Sequence, residues 1–166
     1  MQRVVILGNS GSGKSTLGQA LGEKTGLPVV HSDKLFWHRG WVASTKDEID
    51  SKLTAAADKD CWIIDGNYMR TLPHRLERCD TVIFLDLPRW VCLVSVFKRF
   101  ITSVGTVRPD MGEGCPEKID WEFLTFVWNF NKTKRLKIYD MLARCPGKNI
   151  HIFKSREDVR IFLRNL

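Results

Sequence analysis

The sequence predicts an α/β fold, a parallel sheet with helices on both faces. Two observations carry this expectation. Four hydrophobic runs of strand length, at 3–7, 29–32, 61–66 and 81–86, alternate with stretches of helical spacing, and a fifth run follows at 149–153. That alternation is the pattern of strands buried from both sides. In addition, the first run leads directly into Gly8-Asn9-Ser10-Gly11-Ser12-Gly13-Lys14-Ser15, with Thr16 following, and then into a helical stretch. The segment fits G-x-x-x-x-G-K-[S/T] in full. Its glycines let the backbone turn with N–H groups facing inward, Lys14 can reach terminal phosphates, and the Ser15 hydroxyl can ligate Mg²⁺. Strand, loop and helix arrive in the order that puts the positive end of a helix under a bound anion.

The elements follow in order. Leu17, Ala20 and Leu21 give residues 14–24 one apolar face, and Gly26 with Pro28 ends that helix. The second strand, 29–32, ends at Asp33, after which 35–41 is rich in aromatic rings. Either Ser44 with Asp47 or Thr45 with Glu48 can cap a helix reaching about residue 59. The third strand closes on Asp65-Gly66, a loop covers 67–70, and Thr71 with Pro73 opens a short helix to 78. The fourth strand ends at Asp86 and precedes a helix over 89–103. Glycines and prolines between 104 and 116 exclude a regular element, leaving a flap that is basic at Arg108. One long helix is expected over 118–144, apolar first and basic afterwards. A strand over 149–153 and a helix capped by Ser155 and Asp158 complete the chain.

With 166 residues and 43% apolar side chains, the chain has room for one self-sufficient core. The longest apolar run, 90–97, is far too short to cross a bilayer. The chain enters a strand at once, so no signal peptide and a cytoplasmic setting are expected. The five cysteines lack the paired spacing of a zinc or redox site and are expected as free thiols. The net charge of +7 is concentrated in the second half, where residues 98–166 hold 14 Lys and Arg against 8 Asp and Glu. Phosphorylated substrates or a nucleic-acid surface would each suit that excess.

Phosphoryl transfer requires held phosphates, a placed metal, an aligned acceptor and positive charge for the transition state. Gly8, Ser10, Gly11, Ser12, Gly13, Lys14, Ser15 and Thr16 are the candidates for the triphosphate. Ser15 and Asp65 are the candidates for the metal, with Asp86 as the competing acid. Gly66 favours Asp65 by leaving room beside it. Asp33 lies beyond the carboxyl end of its strand, where open α/β sheets bind ligands, and is the candidate to orient or deprotonate an acceptor hydroxyl. Trp37 and Trp41 are candidates to stack a flat acceptor, while His31 reads more simply as a hydrogen-bonded core histidine. From Arg70, Arg75, Arg99, Arg108 and Arg135, a closing flap would bring Arg99, Arg108 and Arg135 onto the phosphates.

Several segments together carry a family likeness. They are the loop from Gly8 to Thr16, His31-Ser32-Asp33-Lys34-Leu35-Phe36-Trp37 with Trp41, Trp62-Ile63-Ile64-Asp65-Gly66-Asn67-Tyr68, the run 81–88, Arg108-Pro109-Asp110, and Gly114-Cys115-Pro116-Glu117 leading to Asp120-Trp121-Glu122-Phe123-Leu124. In these the chain resembles the P-loop kinases of the adenylate-kinase group, and within them the bacterial subgroup labelled DNA topology modulation or adenylate-kinase-related proteins. The resemblance implies a three-layer P-loop NTPase fold over 1–166, with five parallel strands in the order 2-3-1-4-5. It implies an acceptor-binding region at about 33–60 and a small lid at about 104–118. It implies Mg²⁺-dependent transfer of the γ-phosphate of ATP to a small acceptor, a nucleoside monophosphate or a related compound. The family's Asp-Gly-x-Pro-Arg stands here as Asp65-Gly66-Asn67-Tyr68-Met69-Arg70, which makes Arg70 the candidate for the acceptor's phosphate. The subgroup's label also suggests an alternative, a nucleotide-gated DNA-binding regulator, although no helix-turn-helix or zinc finger is evident.

Overall fold

The structure is a computed structural model that describes residues 1–103, 110–112, 114–116 and 119–166. Arg108 and most of the expected lid lie outside these residues. The central strand is β1 (Arg3–Gly8), an almost wholly buried run. It pairs in parallel with β5 (Trp62–Asp65) on one side and β6 (Thr81–Leu85) on the other. The outer strands are β2 (Val29–His31), paired with β5, and β7 (Asn149–Phe153), paired with β6. The sheet order is therefore β2-β5-β1-β6-β7. These labels depart from the expected 2-3-1-4-5 because a hairpin, β3 (Trp37–His38) against β4 (Val42–Ala43), intervenes after β2. The sequence shows that segment only as a stretch rich in aromatic rings.

Alternation along β1 sorts the core into two layers. Val5 and Leu7 face a cluster with Ile49 and Leu53 of α3 (Lys46–Ala57), Leu72 and Leu76 of α4 (Leu72–Arg78), and Ile138 and Leu142 of α7 (Leu136–Ala143). Val4 and Ile6 face Leu17 and Leu21 of α1 (Lys14–Thr25), with Val159 and Phe162 of α8 (Arg156–Arg164) packed alongside. Both faces are covered, which explains why the strands read as continuous apolar runs. A third cluster joins Cys92 and Val96 of α5 (Arg89–Ser103) to Val127 of α6 (Trp121–Phe130). It stacks these two helices beside the loop that follows β1.

Local chemistry decides the boundaries. The β2 strand stops at His31, because Ser32 opens a short helix, α2 (Ser32–Phe36), and donates its hydroxyl to the Asp65 carbonyl. Of the two capping pairs open for α3, Thr45 with Glu48 forms: the Thr45 Oγ1 accepts from the Glu48 N–H at 3.2 Å, while Ser44 Oγ donates to Leu35 O. Ser155 and Asp158 make the expected reciprocal box at α8.

The expected single helix over 118–144 is instead two helices joined by a π-helical segment at Asn131–Arg135, and it starts only at Trp121, capped by Asp120. In the wide segment the Thr133 hydroxyl donates back to Asn129 O at 3.0 Å. The segment ends at Arg135, whose guanidinium is clamped to Asp86. Insertions of this kind re-aim the side chains that follow them.

Candidate active site

The loop after β1 is a preorganised cradle. Gly8, Gly11 and Gly13 all take positive φ, at 152°, 77° and 96°. Gly13 caps α1 without any side-chain hydrogen bond, so the first amides of the helix are left for a ligand. The cradle is braced from outside. Asn67 donates to Gly8 O at 2.8 Å and accepts from Gly8 N at 3.1 Å, and the buried Asn9 donates its amide to Val127 O at 2.8 Å. Lys14 Nζ folds back onto Asn9 O at 3.0 Å. The Ser12 hydroxyl is buried in the loop without a hydrogen-bond partner among the described residues, a polar atom that an incoming phosphate oxygen can satisfy.

A cleft of about 770 Å³ runs from this cradle toward α2 and the hairpin. Ser10, Gly11, Gly13, Lys14, Ser15 and Thr16 line one end, together with Arg99. Asp33, Trp37 and Trp41 line the other. Ser95, Lys134, Arg156, Phe36, Tyr68 and Asp110 also line the cleft, and sequence reasoning missed them as site residues. Arg156 was within reach of the rule that found Asp33, since it follows the carboxyl end of the last strand. Arg156 donates to the Ser95 hydroxyl and so ties α8 to α5.

The far end is built on aromatic rings. Tyr68, Phe36, Trp37 and Trp41 touch in series, with centroids 5.4, 4.7 and 5.2 Å apart and planes steeply inclined. The Tyr68 hydroxyl donates to Asp33 Oδ1 at 3.1 Å. Burial, then the Asp33 charge, push the Tyr68 pKa far up, so the phenol keeps its proton. Trp41 adopts a left-handed conformation, φ 64°, which is strained for a large side chain, and its indole donates to Pro116 O at 3.1 Å.

The described residues 110–112 and 114–116 are zipped to the hairpin. Gly40 N donates to Gly114 O at 3.2 Å, and Cys115 Sγ donates to His38 O at 3.1 Å. A Cβ on Gly112 would collide with the Trp37 carbonyl oxygen. Gly112→Ala is therefore expected to cost about 1–3 kcal/mol, the usual penalty of overpacking, read as a fall of several degrees in Tm.

The two metal candidates differ in their surroundings. Asp65 is buried, with Oδ2 2.9 Å from His31 Nδ1, and that oxygen would lie 3.8 Å from a Cβ at Gly18. It therefore sits against α1 one turn from Ser15. The room expected beside Gly66 is filled on that side by Ser32, whose Cβ would be 2.6 Å from a Gly66 Cβ. Asp86 has both oxygens engaged: Arg135 donates to them at 2.6 and 2.8 Å, and Tyr139 donates to Oδ2 at 2.7 Å. Burial pushes the Asp86 pKa up, but these hydrogen bonds outweigh it and hold the carboxyl below the usual range. Among the described residues no group of three or more His, Cys, Asp or Glu is placed to hold a metal. A divalent ion there would depend on Ser15 and on the phosphates themselves.

The arginines divide. Arg99 lines the cleft, whereas Arg135 is committed to Asp86 and Arg70 turns to α3, 2.6 Å from Asp50 and 3.9 Å from Asp47. The structure thus moves Arg70 away from the acceptor role expected of it, because two carboxylates on α3 attract it. Arg75 is sealed beneath the loop after β5, donating to the carbonyls of Gly66, Asn67 and Tyr68.

The His31 and Asp65 pair makes stability depend on pH. The hydrogen bond to Asp65 raises the His31 pKa above 6.5, against the opposing effect of burial. A base whose pKa is raised on folding adds stability that is complete below about 6.5 and is lost as pH climbs through the folded value. His31→Asn should flatten the decline in Tm between pH 6 and pH 8.5. An undiminished decline in the variant would assign it to other groups.

The fold agrees with that of solved structures. A family model described as an AAA domain matches residues 4–101, from β1 into α5. The chain belongs to the AAA domain family. This AAA domain is 29% identical to adenylate kinase from Thermotoga neapolitana over 106 residues, 62% of this chain and 47% of that protein. It spans about half the length of the curated relatives it matches. Its fold is similar to that of shikimate kinase from Acinetobacter baumannii in complex with shikimate, with a TM-score of 0.57, 16% identity and coverage of 99% of this chain and 90% of that one. It is also similar to that of a gluconokinase from Sinorhizobium meliloti 1021, with a TM-score of 0.54, 16% identity and coverage of 98% and 87%. At such identities the likeness is one of fold. No helix among the described residues is long and apolar enough to cross a membrane.

Proposed function

We propose that this AAA domain transfers the γ-phosphoryl group of ATP to a hydroxyl of a small molecule. The observation that carries the reading is a single cleft with the phosphate cradle at one end and Asp33 among aromatic rings at the other. The loop amides and Lys14 hold the triphosphate, and Arg99 with Arg156 adds positive charge where the transition state is most anionic. Ser15 is the residue to ligate Mg²⁺, and Asp65, beside the same helix, is better placed than Asp86 to steady its water shell. Bound there, the ion would neutralise charge on the phosphates. Asp33, oriented by Tyr68, accepts the proton of the acceptor hydroxyl. The new P–O bond forms to that oxygen, the bond to the β-phosphate oxygen breaks, and ADP leaves.

The names of the relatives support this reading, since adenylate kinase, shikimate kinase and gluconokinase are all phosphotransferases. None of the relatives described carries a DNA-binding description, so the DNA-topology subgroup and the nucleotide-gated regulator gain no support. The cytoplasm, where ATP is supplied, is the setting that fits. A nucleoside monophosphate is the acceptor the family resemblance favours, yet Arg70 and Arg75 are both engaged elsewhere.

The test combines calorimetry with Mg²⁺-ATP and an assay of acceptor-stimulated ADP release. Asp33→Asn is expected to lower acceptor-stimulated turnover about 10²-fold or more, with ATP affinity held within about twofold. Weakened ATP binding with unchanged turnover would instead place Asp33 at the donor end.

A further inference from the structure

The π-helical segment at Asn131–Arg135 carries three cations with different surroundings. Lys132 is exposed, whereas Lys134 and Arg135 are half-buried. The sequence offers Arg135 to the phosphates, yet its guanidinium is already committed. Nε and Nη2 donate to the two oxygens of Asp86 at 2.6 and 2.8 Å, and the Tyr139 hydroxyl donates to Oδ2 at 2.7 Å. The guanidinium also lies over the Tyr139 ring, 5.0 Å from its centroid. A planar fork held in this way fixes the direction of the helical segment that carries it.

That segment is fixed beside the cradle. Asp86 directly follows β6, and Leu85 before it is in register with Gly8 at the start of the phosphate loop. The same run of chain is tied to the loop a second time, where Asn9 donates its amide to Val127 O at 2.8 Å. Lys134 stands between these two anchors and lines the cleft together with Lys14 and Ser15. A turn closed by i→i+5 bonds holds one residue more than an α-helical turn and narrows the angle between neighbours, so Arg135 can grip Asp86 while Lys134 faces the cavity. Among the described residues Lys134 has no hydrogen-bond or ion-pair partner. The acids at the start of α6, Asp120 and Glu122, also line the cleft, but the nearer of them is roughly 18 Å away along the helix at 1.5 Å per residue. A half-buried ammonium in that position is a group that an anionic oxygen can satisfy.

We propose that Lys134 contacts the γ-phosphate of the bound triphosphate, and that Asp86, Arg135 and Tyr139 are positioning residues that aim it. The inference rests on the phosphotransfer reading above. The ammonium offsets charge on the γ-phosphoryl oxygens as their bond to the β-phosphate oxygen breaks. Asp86 thus serves the reaction through Lys134 and not as a ligand of the metal.

The experiment is calorimetry on the intact chain with two probes, Mg²⁺-ADP and Mg²⁺ with a non-hydrolysable ATP analogue, of which only the second carries a γ-phosphate. Lys134→Met is expected to weaken the analogue about tenfold, the order of one hydrogen bond to a charged group, with ADP affinity held within about twofold. Lys134→Arg, which keeps the charge, should recover most of that loss. Asp86→Asn should produce the same selective loss, and adding it to Lys134→Met should weaken the analogue no further, because both changes remove one contact. Tyr139→Phe keeps the ring and removes one bond to Asp86, so it reads the clamp in a milder form, as a smaller selective loss, even where Asp86→Asn does not fold. Parental affinity for the analogue in Lys134→Met, or an equal loss for both nucleotides, overturns the contact. Additive losses in the double variant, or parental affinity in Tyr139→Phe, overturn the positioning role. Failure of the unaltered chain to bind either nucleotide removes the phosphotransfer reading itself, whereas a parent that binds both and a Lys134→Met variant that matches it remove this inference alone.

Discussion

Replacing Lys14 with alanine is expected to lower phosphoryl transfer by about 10²- to 10³-fold, the usual effect of removing a group that stabilises developing negative charge, while leaving the fold in place. In the free chain the ammonium donates a hydrogen bond to Asn9 O at 3.0 Å. A single bond of that kind contributes on the order of 1 kcal/mol, so Tm should move by only a few degrees. The loop does not depend on it for shape, because Asn67 bridges the N–H and C=O of Gly8 and Asn9 is anchored to α6. Once a triphosphate arrives, a stronger, doubly charged partner replaces the neutral carbonyl. Calorimetry and the ADP assay on one preparation check both halves of this expectation. Full activity in the variant would refute the assignment of the cradle.

The contrast between Lys14 and the rest of the cleft shows what can be read from sequence. The cradle is local: strand, glycines, lysine and helix are contiguous, so spacing alone implies geometry. The five sheet strands were legible for a similar reason, since each is a short apolar run between turn signals. The hairpin at Trp37 to Ala43 was not. Its strands are two residues each and are held by Gly114, Cys115 and Pro116, some 75 residues away. Asp86 was rightly seen at a strand end, but its partner Arg135 lies 49 residues further on, at the end of a π-helical segment with no compositional signature. Arginines were the least legible of all. Arg70, Arg75, Arg99 and Arg135 look alike in the chain, and their fates are set by which carboxylate or carbonyl the fold brings near.

Arg75 is the case with the largest consequence for stability. Replacing it with leucine is expected to lower Tm by about 10 °C. The side chain is fully buried, and burial pushes its pKa down only to about 10, so it remains a cation at neutral pH. Its Nη1 donates to Gly66 O at 2.8 Å, and its Nη2 donates to Asn67 O and Tyr68 O, both at 3.0 Å. Leucine would fill part of the volume and leave three inward carbonyls without donors, which costs at least about 3 kcal/mol after partial relaxation. For a chain of this size each kcal/mol lowers Tm by roughly 2–4 °C. Lysine should recover only a fraction, because one ammonium on a flexible stem cannot span three carbonyls as a planar fork does. The damage should also reach both substrates. The pinned loop carries Asn67, which braces the cradle, and Tyr68, which orients Asp33. ATP affinity and acceptor turnover should therefore fall together in Arg75→Leu, whereas Asp33→Asn affects turnover alone. A leucine variant that melts with the parent and binds ATP equally well would show that the loop holds its shape without the buried guanidinium.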